Sequence, residues 1–170
     1  MALTVEDGTG VAGANSYASL ATLRAYASAR GVTMPASDPA LEAFALLGMD
    51  YLEGLRGRYQ GAKTDPTQPL QWPRYPVVID GADFPSDAIP VELVNALCRL
   101  CMEQHAGADL SPTKTGAFVT EETVGPITTK YSEKLGGGAG SPPDMPAVDV
   151  LLAPLLTVGR VGFGFTTVRV

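Results

Sequence analysis

Thr64-Asp65-Pro66-Thr67-Gln68-Pro69-Leu70-Gln71-Trp72-Pro73-Arg74 holds the only tryptophan of the chain, three prolines, and an arginine two residues after that tryptophan. It lies between two strongly helical patterns, where a short polar turn would have sufficed to join antiparallel helices. Proline fixes its own φ and pushes the preceding residue toward extended conformations, so the sequence predicts a stiff, extended connection. A stiff loop that carries Trp72 and Arg74 is built to be packed. Trp72 either plugs the side of its own helical core or anchors on a neighbouring subunit, with Arg74 reaching a carboxylate or a carbonyl.

The helices on either side follow from caps, prolines and apolar spacing. Ser16 is placed to cap a first helix reaching about Arg30 and ended by Gly31, with Leu20, Leu23 and Tyr26 inward. Asp38-Pro39 starts a second helix that runs to about Leu55. Leu41, Phe44, Ala45, Leu47, Gly48, Tyr51, Leu52 and Leu55 give it a broad apolar face. A third helix begins near Pro90, with Glu92 favourable in its first turn, and ends at Ala106-Gly107. The last runs from Pro146 to Leu156.

Between the third and last helices the pattern changes to Thr, Val, Phe and Tyr. Ala117–Thr123 and Ile127–Ser132, separated by Val124-Gly125-Pro126, predict a β-hairpin. Lys134–Pro143 reads as a Gly-rich linker. From Arg160 to Val170 an apolar alternation of Val161, Phe163 and Phe165 with glycines predicts an extended strand. That strand pairs either with the hairpin of its own chain or with another chain. The expected fold is therefore mainly α, a small helical bundle with a β-hairpin and an extended C-terminal strand tail. It forms one domain with three parts: residues 1–110, the bundle and its Trp-Pro-Arg loop; 111–144, the hairpin and linker; and 145–170, the last helix and the tail.

Composition narrows the function. The chain has 170 residues, 45% hydrophobic and only 18% charged, with 19 glycines and 14 prolines, a mixture that fits helices joined by long shaped loops. No apolar run approaches the ~20 residues of a membrane span, and no basic-then-apolar leader is visible, so expression in a cytoplasm is expected. The formal charge is −6, with six basic and nine acidic residues in each half. The basic residues are scattered, which disfavours a protein held to nucleic acid by a charged lobe.

Catalytic, cofactor and metal sites are not expected. Gly8-Thr9-Gly10-Val11-Ala12-Gly13 matches the G-x-G-x-x-G dinucleotide pattern, but Glu6 and Asp7 precede it and no second parallel strand follows. Cys98 and Cys101 form a C-x-x-C spacing. Together with Val94, Leu97, Met102 and His105 they recur at helical intervals, so the thiols belong to a core. Asp80, Asp83 and Asp87 lack the ligand order of a calcium loop.

Several motifs occur in the order found in a known family: Val5-Glu6-Asp7-Gly8-Thr9-Gly10 with Ala14-Asn15-Ser16-Tyr17, Asp50-Tyr51-Leu52-Glu53-Gly54-Leu55, the Trp72 loop, Pro85-Ser86-Asp87-Ala88-Ile89-Pro90, and Pro146–Leu156. This arrangement resembles the head–tail adaptor (connector) proteins of tailed bacteriophages, many of which carry the label of DnaT-like single-stranded-DNA-binding proteins. The resemblance implies a structural subunit of the virion neck, made in the host cytoplasm. It would sit in a twelvefold ring of neighbouring subunits under the portal protein and dock a downstream neck or tail-terminator protein, with DNA only as passing cargo. Under that reading Val161, Phe163, Phe165, Val168, Arg169, Trp72 and Arg74 face the portal or a neighbouring subunit. Phe118, Thr120, Glu122, Thr129 and Tyr131 form a second interface on the hairpin. The alternative is a single-stranded-DNA-binding protein, which needs aromatic platforms beside cations. Tyr59, Trp72 and Tyr75 with Arg56, Arg58 and Arg74 are the grouping that would supply them.

Overall fold

The computed structural model describes residues 2–110, the backbone of strands 121–124 and 127–130, and residues 145–157. Helix α1 spans Leu20–Ser28 and is capped by Ser19, whose side chain accepts from Thr22 N. The expected cap, Ser16, has another task. It is fully buried, and its hydroxyl donates to Ala18 O at 2.8 Å while accepting from Ala18 N at 3.2 Å. A serine that satisfies its neighbour's backbone holds the chain out of a helix, so α1 starts only after Ser19. Beyond its end the chain reverses at Gly31, whose φ of 73° suits a residue without Cβ.

Helix α2 covers Asp38–Gly54, with a proline in its first turn and Asp38 at its positive end. Helix α3 covers Val91–His105 directly after Pro90, with Glu92 in the first turn and His105 in the last. Helix α4, Pro146–Leu152, tightens into a 3-10 turn at Ala153–Leu155. Pro154 has no N–H to continue the α-helical ladder, which accounts for the change.

Helix α3 is the centre of the bundle: α1, α2 and α4 all pack on it. Its Leu93, Ala96, Leu97, Leu100 and Cys101 are essentially inaccessible, and they meet Leu41, Ala45 and Leu52 of α2 and Val148 and Leu152 of α4 in one core. Each large side chain buried in this way contributes ~1.5–3 kcal/mol. Gln104, also buried, donates to Phe44 O at 2.8 Å and fastens α3 to α2. Two residues depart from the expected apolar faces. Leu47 is 44% exposed and His105 is exposed, because the faces of α2 and α3 that meet are narrower than the apolar spacing implied.

The connection from α2 to α3 is not the plain extended loop anticipated. It folds into two small antiparallel ribbons. Strands β1 (Ala62–Lys63) and β2 (Arg74–Tyr75) pair Ala62 with Tyr75 and Lys63 with Arg74. Strands β3 (Val78–Ile79) and β4 (Ala82–Asp83) pair around Asp80-Gly81, both at positive φ, the left-handed pair that a two-residue hairpin turn requires. The peptide bonds Trp72-Pro73 and Tyr75-Pro76 are cis. The hairpin expected after α3 forms as β5 (Glu121–Val124) and β6 (Ile127–Lys130), with Glu122 opposite Thr129.

Phe118, Thr120 and Tyr131 lie outside the described residues, as do the linker and the tail with Val161, Phe163, Phe165, Val168 and Arg169. The last described residues are held by the chain just after α2. Leu156 bridges Tyr59, Gln60 N donates to Leu155 O at 3.0 Å, and Thr157 N donates to Arg58 O at 2.7 Å.

Candidate nucleic-acid interface

Trp72 is fully buried inside its own chain, edge-on to the Tyr59 ring at 5.7 Å. Its backbone N–H donates to the Tyr17 hydroxyl at 3.2 Å, and that hydroxyl donates to Glu53 Oε1 at 2.7 Å. Glu53 also accepts from Gln71 N at 3.2 and 3.0 Å. One carboxylate on α2 thus holds both α1's approach segment and the tryptophan loop. Burial, then the neighbouring Glu53 charge, push the Tyr17 hydroxyl well above the ordinary tyrosine range, and Tyr59 moves the same way for the same two reasons. Gln68 is the loop's internal brace: its Nε2 donates to Leu70 O and Pro73 O, each at 3.0 Å.

Arg74 is buried as well. Its guanidinium donates to Gln60 O and Gly61 O at 2.7 Å each and to Gln71 Oε1 at 3.1 Å. Burial pulls its pKa below the usual arginine value. The planar fork is used here to collect backbone carbonyls, a task a lysine's single ammonium does less well. Neither Trp72 nor Arg74 is presented to a second subunit, because both are consumed in holding the loop to the bundle.

The same geometry thins the stacking group read from the sequence. Tyr59, Trp72 and Arg74 are interior, whereas Tyr75 is 57% exposed and Arg56 and Arg58 are exposed. Tyr75 follows buried Arg74, and Arg58 precedes buried Tyr59, whose ring centre lies 5.8 Å from the Arg74 guanidinium carbon. Tyr75 and Arg58 are therefore the exposed chain neighbours of two interior side chains that lie close together, Arg74 and Tyr59. Among the described residues no carboxylate pairs with Arg56 or Arg58, whereas Arg24 is tied to Asp38 and Arg99 to Glu103. Val78, 45% exposed, adjoins this area through Gln60, whose carboxamide bonds both Val78 N and Val78 O at 3.2 Å.

The glycine-rich N-terminal loop does not offer its amides to a nucleotide. Glu6, 2% exposed, accepts from Gly8 N, Gly10 N and Val11 N, each at 2.9 Å. Burial pushes the Cys98 thiol up to about 11 and Cys101 up to about 12, so both are protonated at neutral pH. Among the described residues no three His, Cys, Asp or Glu side chains converge as metal ligands. Nor is any described helix long and apolar enough to cross a membrane.

The family described as "Putative DnaT-like ssDNA binding protein" matches residues 1–170. The chain belongs to that family. Neither curated proteins nor solved structures give a significant match. Membership of the DnaT-like family corrects the expectation of a portal-docking head–tail adaptor: the description that covers the whole chain names the alternative, single-stranded DNA binding. Net charge had disfavoured that alternative without excluding it, because a global quantity is blind to individual exposed arginines such as Arg56 and Arg58. The sequence reading also missed Glu6, Tyr17, Glu53, Gln60 and Gln68, which hold the loops in place. The polar side chains among so many prolines and glycines were the available signal.

Proposed function

We propose that this chain binds single-stranded DNA weakly and with little sequence preference, through the exposed Tyr75, Arg56 and Arg58. The observation that carries the reading is the Tyr75 ring, more than half exposed on a strand whose other residue is locked inside. A solvent-facing aromatic on a rigid support can stack a base face, which a duplex does not present, and each stacked base is worth ~1–3 kcal/mol. The Arg56 and Arg58 guanidinium groups, without a carboxylate partner among the described residues, add contacts to backbone phosphates. Membership of the DnaT-like family supports the same ligand class. The overall charge of −6 opposes long-range attraction of DNA, so the affinity is local and modest and falls as salt rises.

The test is anisotropy of a labelled oligothymidylate across a salt series. Wild type should bind at low salt, and Tyr75→Ala should weaken binding roughly tenfold, the equivalent of ~1.4 kcal/mol of lost stacking. Replacing Arg56 and Arg58 together by Ala should flatten the log–log salt slope by about 1.4. No binding by wild type at low salt would overturn the reading.

A further inference from the structure

We propose that residues 6–11 form a self-liganded oxyanion nest, in which the Glu6 carboxylate fills the place of a free carboxylate or phosphate. The nest takes such an anion from solution once residue 6 no longer fills it. Three backbone N–H groups converge on one carboxylate, Gly8 and Gly10 on Oε1 and Val11 on Oε2, all at 2.9 Å. Successive amides can point to one side because Gly8 and Gly10 take φ of 109° and 78°, the alternation that builds anion-binding concavities in polypeptides. Glu6 is almost wholly buried, and among the described residues no cation is paired with it, so these amides are its compensation for lost water.

The nest is fixed from behind, and its Thr9-Gly10 side lies at the surface. A Cβ at Gly8 would stand 2.2 Å from Asp87 O and 2.7 Å from Ala88 Cα, so the loop lies directly on the segment that leads into α3. At Gly10 nothing lies within 4 Å of such a Cβ, and Thr9 and Gly10 are exposed. Removing the Glu6 side chain would therefore leave a cavity beneath exposed backbone, where a small ion can take its place on the amides. The G-x-G-x-x-G pattern thus encodes a real anion cradle whose occupant is supplied by the chain itself, and the wild-type protein should ignore nucleotide phosphates there.

Chemical rescue tests this. Glu6→Ala should melt below wild type in sodium chloride. Sodium formate at matched ionic strength should restore a saturable ~2–4 °C, with inorganic phosphate acting similarly and wild type gaining nothing beyond the general salt effect. A folded Glu6→Ala with identical melting in formate and chloride would overturn the proposal. Should Glu6→Ala not fold, Glu6→Asp keeps the charge but is too short to reach all three amides. It should melt between wild type and unfolded and gain from formate. Wild-type stability of Glu6→Asp with no response to formate would refute the nest. DNA binding is independent of this readout, so the outcome does not depend on the function proposed above.

Discussion

The Tyr17 hydroxyl stands between Glu53 and the Trp72 backbone, donating to the carboxylate at 2.7 Å and accepting from the amide at 3.2 Å. Through that one oxygen the approach to α1, the end of α2 and the proline-rich loop are held in a single arrangement. Tyr17→Phe keeps the ring but strands the Trp72 amide. Loss of about 1–3 kcal/mol is expected, measured from the urea midpoint. An unchanged midpoint would show that water replaces the hydroxyl.

Trp72→Ala should cost about 3–5 kcal/mol, since a wholly buried ring leaves a cavity beside Tyr59. Trp72→Phe should be milder, because Trp72 Nε1 has no hydrogen-bond partner among the described residues and its removal ends an unsatisfied burial. Equilibrium unfolding of both variants checks the order.

Glycines 54 and 61 should respond with opposite signs. At Gly61, φ is 59° and a Cβ would stand 2.4 Å from Pro76 O, so Gly61→Ala collides with backbone that cannot retreat. A loss of at least ~1–3 kcal/mol is expected. Gly54, the last residue of α2, has open space around its Cβ position, and Gly54→Ala should stabilise by about 0.4–1 kcal/mol. Thermal melts of the two variants should move apart.

Stability should fall on the alkaline side. Burial raises the Cys98 and Cys101 thiols from near 9 to about 11 and about 12, and raises Tyr17 and Tyr59 as well. Above pH 9 the unfolded chain releases protons that the folded chain keeps. The unfolded state then binds fewer protons, and stability declines with rising pH. Below pH 8 these groups contribute no slope. Urea midpoints from neutral to pH 11 should show a plateau and then a fall, with tyrosinate absorbance from the buried rings appearing only on unfolding.

The helices were legible because their signals are local. Pro39, Pro90, Pro146 and the glycines after α1 and α3 mark ends by their own backbone chemistry. Ser16 misled because a serine's hydroxyl can serve a cap or a tight local turn, and only the pairing of Val5 with Ser16 decides which. The tryptophan loop was recognisable as a packed element in which Arg74 reaches a carboxylate or a carbonyl, but the partners themselves were not legible. The burial of Arg74 depends on carbonyls from residues 60, 61 and 71 meeting at one point, a convergence that no spacing rule reports. For the candidate site, residue types were visible and exposure was not, so Tyr59, Trp72 and Tyr75 could not be separated until each was placed inside or outside.

Gln60 spends its side chain on Val78, matching that residue's N–H and C=O with its own carboxamide as a neighbouring strand would. The outer border of the small β3–β4 ribbon is therefore closed by one amide group. An open border there, next to the exposed Val78 and Tyr75 side chains, would invite strand-to-strand association of identical molecules at high concentration. A single glutamine thus protects colloidal behaviour without adding charge to a ribbon that already exposes Asp80 and Asp83.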